Sequence, residues 1–154
     1  EVNEWGVAAL ERAARGLKCA TAVHICYGYG IKANIDWKGT LGAEWRQYER
    51  IFPALNASAI GGVSLECANS HVPMSLISLL PDKQILVGAI DVATDHVETP
   101  EEVAAVIAEA LKHADAGRIQ PCTNCGLAPR SRAVAEAKLR ALGAGAKLAR
   151  ERWG

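Results

Sequence analysis

His24 and Cys26 stand two residues apart at the end of an apolar run, in HICYGYG (24–30). Side chains alternate along a strand, so positions i and i+2 share a face. An imidazole and a thiol on one face are ligand types that zinc accepts in a tetrahedral shell. Two further candidates stand elsewhere: Glu66 near the end of VSLEC and Cys125 in PCTNCG. If the strands are parallel, all three locations lie at one rim, and His24, Cys26, Glu66 and Cys125 together can fill a zinc shell. Cys67 adjoins Glu66 and points the opposite way if both lie in the strand. Cys19 and Cys67 read as buried small hydrophobes.

Other chemistry competes for these residues. Cys122 and Cys125 form a C-x-x-C pair, the spacing of a redox couple or half of a zinc knuckle. It comes late in the chain, and no second C-x-x-C completes a four-cysteine site. GYGIKA (28–33) matches a G-x-G-x-x-A dinucleotide loop. NIDWKG is a poor helix opening, however, and no acidic residue ends a strand about 20 positions on, as that motif expects. The glycines read instead as tight backbone beside the site. The last helix carries Arg130, Arg132, Lys138, Arg140, Lys147, Arg150 and Arg152 against Glu136 and Glu151. It reads as a solvated face, with some of its charges favourable at a helix C-terminus.

These residues must be positioned by the elements around them. Residues 1–16 have helical spacing, closed by Gly16. CATAVHIC (19–26) reads as a strand, GIKANIDWKG (30–39) as a loop, and TLGAEWRQYERIFPAL (40–55) as an amphipathic helix. GVSLEC (62–67) is a strand, VPMSLISLL (72–80) a helix or turn, and QILVGAID (84–91) the clearest strand. Thr99 caps a helix with Pro100 at its first position. RIQPC (118–122) is a strand and residues 129–152 a final helix. The order is a helix, then four β-α units, the pattern of a parallel sheet covered on its faces. His24 and Cys26, Glu66, Asp91, and Cys122 with Cys125 follow successive strands. A (βα)8 TIM barrel collects its active site in that way. The fold class is therefore α/β, with about four parallel βα units, half of such a barrel.

The chain has 154 residues with Lys+Arg 17 and Asp+Glu 17, so its formal net charge is zero. That offers no field for nucleic acid or an anionic membrane. Half the residues are apolar, but no run approaches the roughly 20 that a membrane-spanning helix needs. Five cysteines in an α/β-like chain suggest reduced thiols and a cytoplasmic location.

HICYGYG, VSLEC and CTNCGLAPR, in this order and spacing, resemble the catalytic C-terminal domain of the cobalamin-independent methionine synthase family, in a short core form. The resemblance runs the length of the chain and implies that 1–154 is a partial zinc-binding barrel domain whose first half is absent. The family's zinc ligands fall on His24, Cys26, Glu66 and Cys125. CGLAPR matches C-G-L-K-T-R, which selects Cys125 over Cys122. The implied activity is transfer of a methyl group to the thiol of homocysteine, from methyltetrahydrofolate or another carrier. Relatives include alkyltransferases acting on coenzyme M, and a non-catalytic domain with a structural zinc is the other alternative. The family's V-x-D-x-H-S stretch carries a histidine that serves as proton donor. Here the stretch is AIDVATDH. Asp91 matches, Ala93 holds the histidine position, and His96 is the candidate replacement. Half a barrel further implies association with itself or with the missing half.

Overall fold

The computed structural model describes residues 2–154, with side chains from Trp5 onward. Helix α1 (Val2–Ala14) leads into β1 (Ala22–Ile25) and a short α2 (Lys32–Lys38). A 3₁₀ turn (Gln47–Arg50) and α3 (Phe52–Ala57) precede β2 (Gly62–Glu66). A second 3₁₀ segment (Met74–Leu79) connects to β3 (Gln84–Ile90), followed by α4 (Pro100–Ala110), β4 (Ile119–Thr123) and α5 (Arg132–Trp153). The four strands are all parallel and lie in chain order, β1-β2-β3-β4. This is the expected run of βα units, with β1 and β4 as its edges.

Alternation sorts the strand residues onto two faces. Val63, Leu65, Ile85 and Val87 join Phe52, Leu55, Ile77 and Leu80 in the main core. Ala89 and Ile90 pack instead with Val103, Ala104 and Ile107 of α4 and Ala149 of α5. The opposite face carries His24, Ser64 and Cys122, with Glu66 at the end of its strand. All five residues of β2 are buried, as expected of a strand covered on both sides. Thr99 caps α4 through a reciprocal box: its side chain accepts from the Glu102 amide, and Glu102 accepts from the Thr99 amide.

Five local expectations need correction. Residues 30–39 contain α2 rather than only a loop. No residue of α2 is buried, so it carries no apolar stripe to read. Its support comes from the Lys32–Asp36 pair one turn apart and from Trp37 stacked on Tyr27 at 5.6 Å. The helix expected over 40–55 is broken. Pro53 sits in the first turn of α3 and disfavours helical backbone just before it. The Trp45 amide is also drawn to the His71 carbonyl instead of to a helical partner.

Cys19 is exposed rather than buried, and Cys67 is half-buried. Lys138, assigned to a solvated face, is fully buried. Its ammonium donates to the Asp91 carbonyl at 2.8 Å and pairs with Glu98 at 3.0 Å. It also reaches the His96 carbonyl. A buried cation persists only with such partners, and they come from a loop about 40 residues away in sequence.

Candidate metal centre

The register of the sheet places His24 beside Ser64. The His24 Nδ1 lies 2.9 Å from the Ser64 hydroxyl, and the same hydroxyl lies 3.7 Å from the Cys122 sulfur. With Nδ1 engaged, Nε2 remains for a ligand, the usual division of labour when a second group orients a metal-binding histidine. Cys26 follows β1 directly, and Cys125 sits two residues beyond β4. Their sulfurs are 3.7 Å apart. Ligand atoms of His24, Cys26 and Cys125 all lie within 4.8 Å of one another. A pocket of about 350 Å³, lined by His24, Ser64, Leu86, Cys122 and Cys125 among others, opens on this group.

The donor set suits zinc: two thiol sulfurs and one imidazole nitrogen at mutual distances that one ion can span. Its electrostatics point the same way. Burial, with Cys125 and Glu66 close by, pushes the Cys26 thiol up to about 11. Without a cation the Cys26 thiol therefore stays protonated. A bound divalent ion reverses that preference.

Glu66 closes β2, is 1% exposed, and stands apart from that three-residue cluster. The Tyr27 amide donates to its Oε1 at 2.8 Å, and the Tyr29 hydroxyl donates to its Oε2 at 2.6 Å. Burial first, then the hydrogen bond and charge of Glu66, push the Tyr29 phenol far above its ordinary value. It is a donor, never an anion, at physiological pH.

Asn124 was not foreseen. It is fully buried, and its side-chain oxygen accepts from the Cys67 and Ala68 amides at 2.9 and 3.1 Å. Its Nδ2 donates to the Ala68 carbonyl at 2.7 Å and to the Tyr29 hydroxyl at 3.3 Å. Gly88 of β3 makes room for it: a Cβ there would lie 2.5 Å from both Asn124 Oδ1 and the Leu65 carbonyl. The carboxamide thus ties the loop after β4 to the end of β2, and Cys125 is the next residue. The adjacency of Asn124 to a cysteine in TNCG was the available signal. Tyr29, between Gly28 and Gly30, was likewise in plain view; both glycines have positive φ, which turns the backbone sharply around it.

Asp91 and His96 occupy the loop after β3. Asp91 is nearly buried and accepts from the Ala93 amide at 2.8 Å and from Asn69 Nδ2 at 3.3 Å. Its own amide donates to Glu98, so the Lys138–Glu98 pair grips this turn from beneath. Ala93 lines a separate pocket of about 310 Å³ with Tyr29, Lys38 and Arg130. His96 is largely exposed, with Nε2 3.2 Å from Glu102 of α4, and lies outside the His24, Cys26 and Cys125 cluster.

A four-stranded parallel sheet of βα units, with thiol and imidazole donors at its rim, is one half of a (βα)8 barrel. Residues 43–148 match the sequence model described as "Cobalamin-independent synthase, Catalytic domain", and the chain belongs to that family. The matched span contains Glu66, Asp91, His96 and Cys125; His24 and Cys26 precede it. Along 99% of its length the chain resembles the structure of a B12-independent methionine synthase from Shewanella sp. W3-18-1 in complex with selenomethionine, at 62% identity and a TM-score of 0.93. Methionine synthases of Saccharolobus islandicus and Sulfurisphaera tokodaii are 29% and 28% identical over 96% of the chain. The chain spans 45% of the Shewanella protein and about two fifths of the two archaeal ones.

Proposed function

We propose that this chain is the thiol-activating half of a zinc-dependent methyltransferase that moves a methyl group onto homocysteine to form methionine. The observation that carries this is the convergence of His24, Cys26 and Cys125 within 4.8 Å in a chain of this family. Those three residues would hold the zinc, with Glu66 as a fourth, exchangeable ligand. Zinc at this position supplies one thing: it lowers the pKa of a bound thiol so that a thiolate nucleophile exists at neutral pH.

The protein's own residues do the remainder. Ser64 orients the His24 ring. Asn124 fixes the turn that presents Cys125. Asp91, buried and held by Asn69 and the Ala93 amide, faces the rim as a polar anchor for substrate. The leaving group of methyltetrahydrofolate departs badly without a proton. Ala93 cannot supply one, and His96 can do so only after leaving Glu102. A more activated methyl carrier removes the need.

Residues 1–154 act as a partial barrel domain that is completed by the other half or by another copy. A cytoplasmic location suits its reduced thiols. Among the described residues no helix is long and apolar enough to cross a membrane.

The test is zinc K-edge X-ray absorption of the assembled protein with and without homocysteine. The expected resting shell has about two sulfurs near ~2.3 Å. Homocysteine adds a third sulfur and removes an oxygen. A shell that ignores homocysteine overturns the thiol-activating role. If coenzyme M adds the sulfur instead, the acceptor is a different thiol; if neither does, the zinc is structural.

A further inference from the structure

Glu66 has both carboxylate oxygens engaged by the chain itself. Oε1 accepts from the Tyr27 amide at 2.8 Å, with the Tyr48 hydroxyl further off at 3.5 Å. Oε2 accepts from the Tyr29 hydroxyl at 2.6 Å. Tyr29 is held in turn: its oxygen accepts from Asn124 Nδ2, and the Lys38 ammonium lies 4.6 Å from its ring centroid. A buried carboxylate away from a cation is tolerable only where donors of this kind meet it. Meanwhile His24, Cys26 and Cys125 cluster without Glu66. An exchangeable fourth ligand that gives way to a substrate thiol needs a place of this kind to go.

We propose that Tyr29 is a positioning residue whose hydroxyl receives the Glu66 carboxylate when it leaves the fourth ligand position, so that a substrate thiol can keep that position. This rests on the zinc-and-thiol reading above. Without the Tyr29 hydroxyl, Oε2 loses its partner, and the carboxylate competes with the incoming thiol. Tyr29 touches neither the thiol nor its sulfur; it acts through Glu66 alone.

The experiment uses the assembled protein loaded with Co²⁺ in place of zinc, titrated with homocysteine and followed by the rise of the thiolate-to-cobalt charge-transfer band above the level that Cys26 and Cys125 give alone. Tyr29→Phe should bind Co²⁺ with unchanged stoichiometry and bind homocysteine about tenfold more weakly, as expected for loss of one hydrogen bond to a charged acceptor. Adding Glu66→Gln to Tyr29→Phe should restore homocysteine binding, because a neutral amide competes poorly for the metal. A general packing defect would not be rescued by that second change. Homocysteine binding by Tyr29→Phe at wild-type strength overturns the proposal, and so does a double variant no better than the single one. A wild-type protein that takes Co²⁺ but whose band homocysteine never strengthens overturns the thiol-activating reading itself, and this proposal with it.

Discussion

At Cys26, burial and the neighbouring Cys125 and Glu66 act in one direction, raising the thiol from 9.0 to about 11. The Tyr27 phenol rises likewise, from 10.0 to about 12, chiefly through burial. For these acids the neutral form is the one the fold favours. Their contribution to stability is complete below the unfolded pKa and is lost as pH rises through the folded one. The metal-free protein should therefore hold its melting temperature up to about pH 9 and lose it progressively towards about pH 11. Saturating zinc, which takes the thiols as thiolates, should flatten that fall. Thermal melts at pH 8 and pH 11, with and without zinc, decide the matter. A metal-free protein equally stable at both values would contradict the arrangement at Cys26.

Two elements meet closely where β3 passes beneath the loop after β4. The register shifts between Gly88 and Ile90, and Asn124 enters the gap so formed. Gly88→Ala places a methyl against Asn124 Oδ1 and the Leu65 carbonyl, each 2.5 Å away. Neither is the free end of a flexible chain, so the strands must part. We expect a loss of about 1–3 kcal/mol in urea unfolding. Because Asn124 precedes Cys125, zinc should also be surrendered to a chelator more readily. Gly88→Ala with full stability and full zinc retention would show that the loop has slack. Lys138 performs a similar service one strand along: α5 reaches under the β3 loop with one buried ammonium and binds Asp91, His96 and Glu98 together.

For the whole molecule, the sheet order leaves β1 and β4 with a neighbour on one side only. Unpaired parallel edges attract partners. A barrel of eight strands removes them, and the chain spans well under half of its archaeal relatives. We expect residues 1–154 alone to self-associate in sedimentation velocity and to show no methyl transfer. Supplying the other half of the barrel should suppress the association and restore turnover. A monodisperse monomer that methylates homocysteine unaided would refute this.

The parallel α/β order, the four strands and the positions of His24, Cys26, Glu66 and Cys125 at their ends were legible in the sequence. Each depends on short-range signals: apolar runs, alternation, a capping threonine, and ligand types in local spacing. Other features were settled only in three dimensions. KANIDWK became a helix through one ion pair and a stacked ring, neither of which is an apolar period. Lys138 became buried because carbonyls and a carboxylate from about 40 residues away surround it. Glu66 was foreseen at the rim, but its attachment to Tyr27 and Tyr29 was not, since a hydrogen bond between β2 and the loop after β1 leaves no mark on spacing. Local chemistry set which residues stand at the sheet's rim. Long-range contacts, which alone determine burial and hydrogen-bond partners, decided which of them touch.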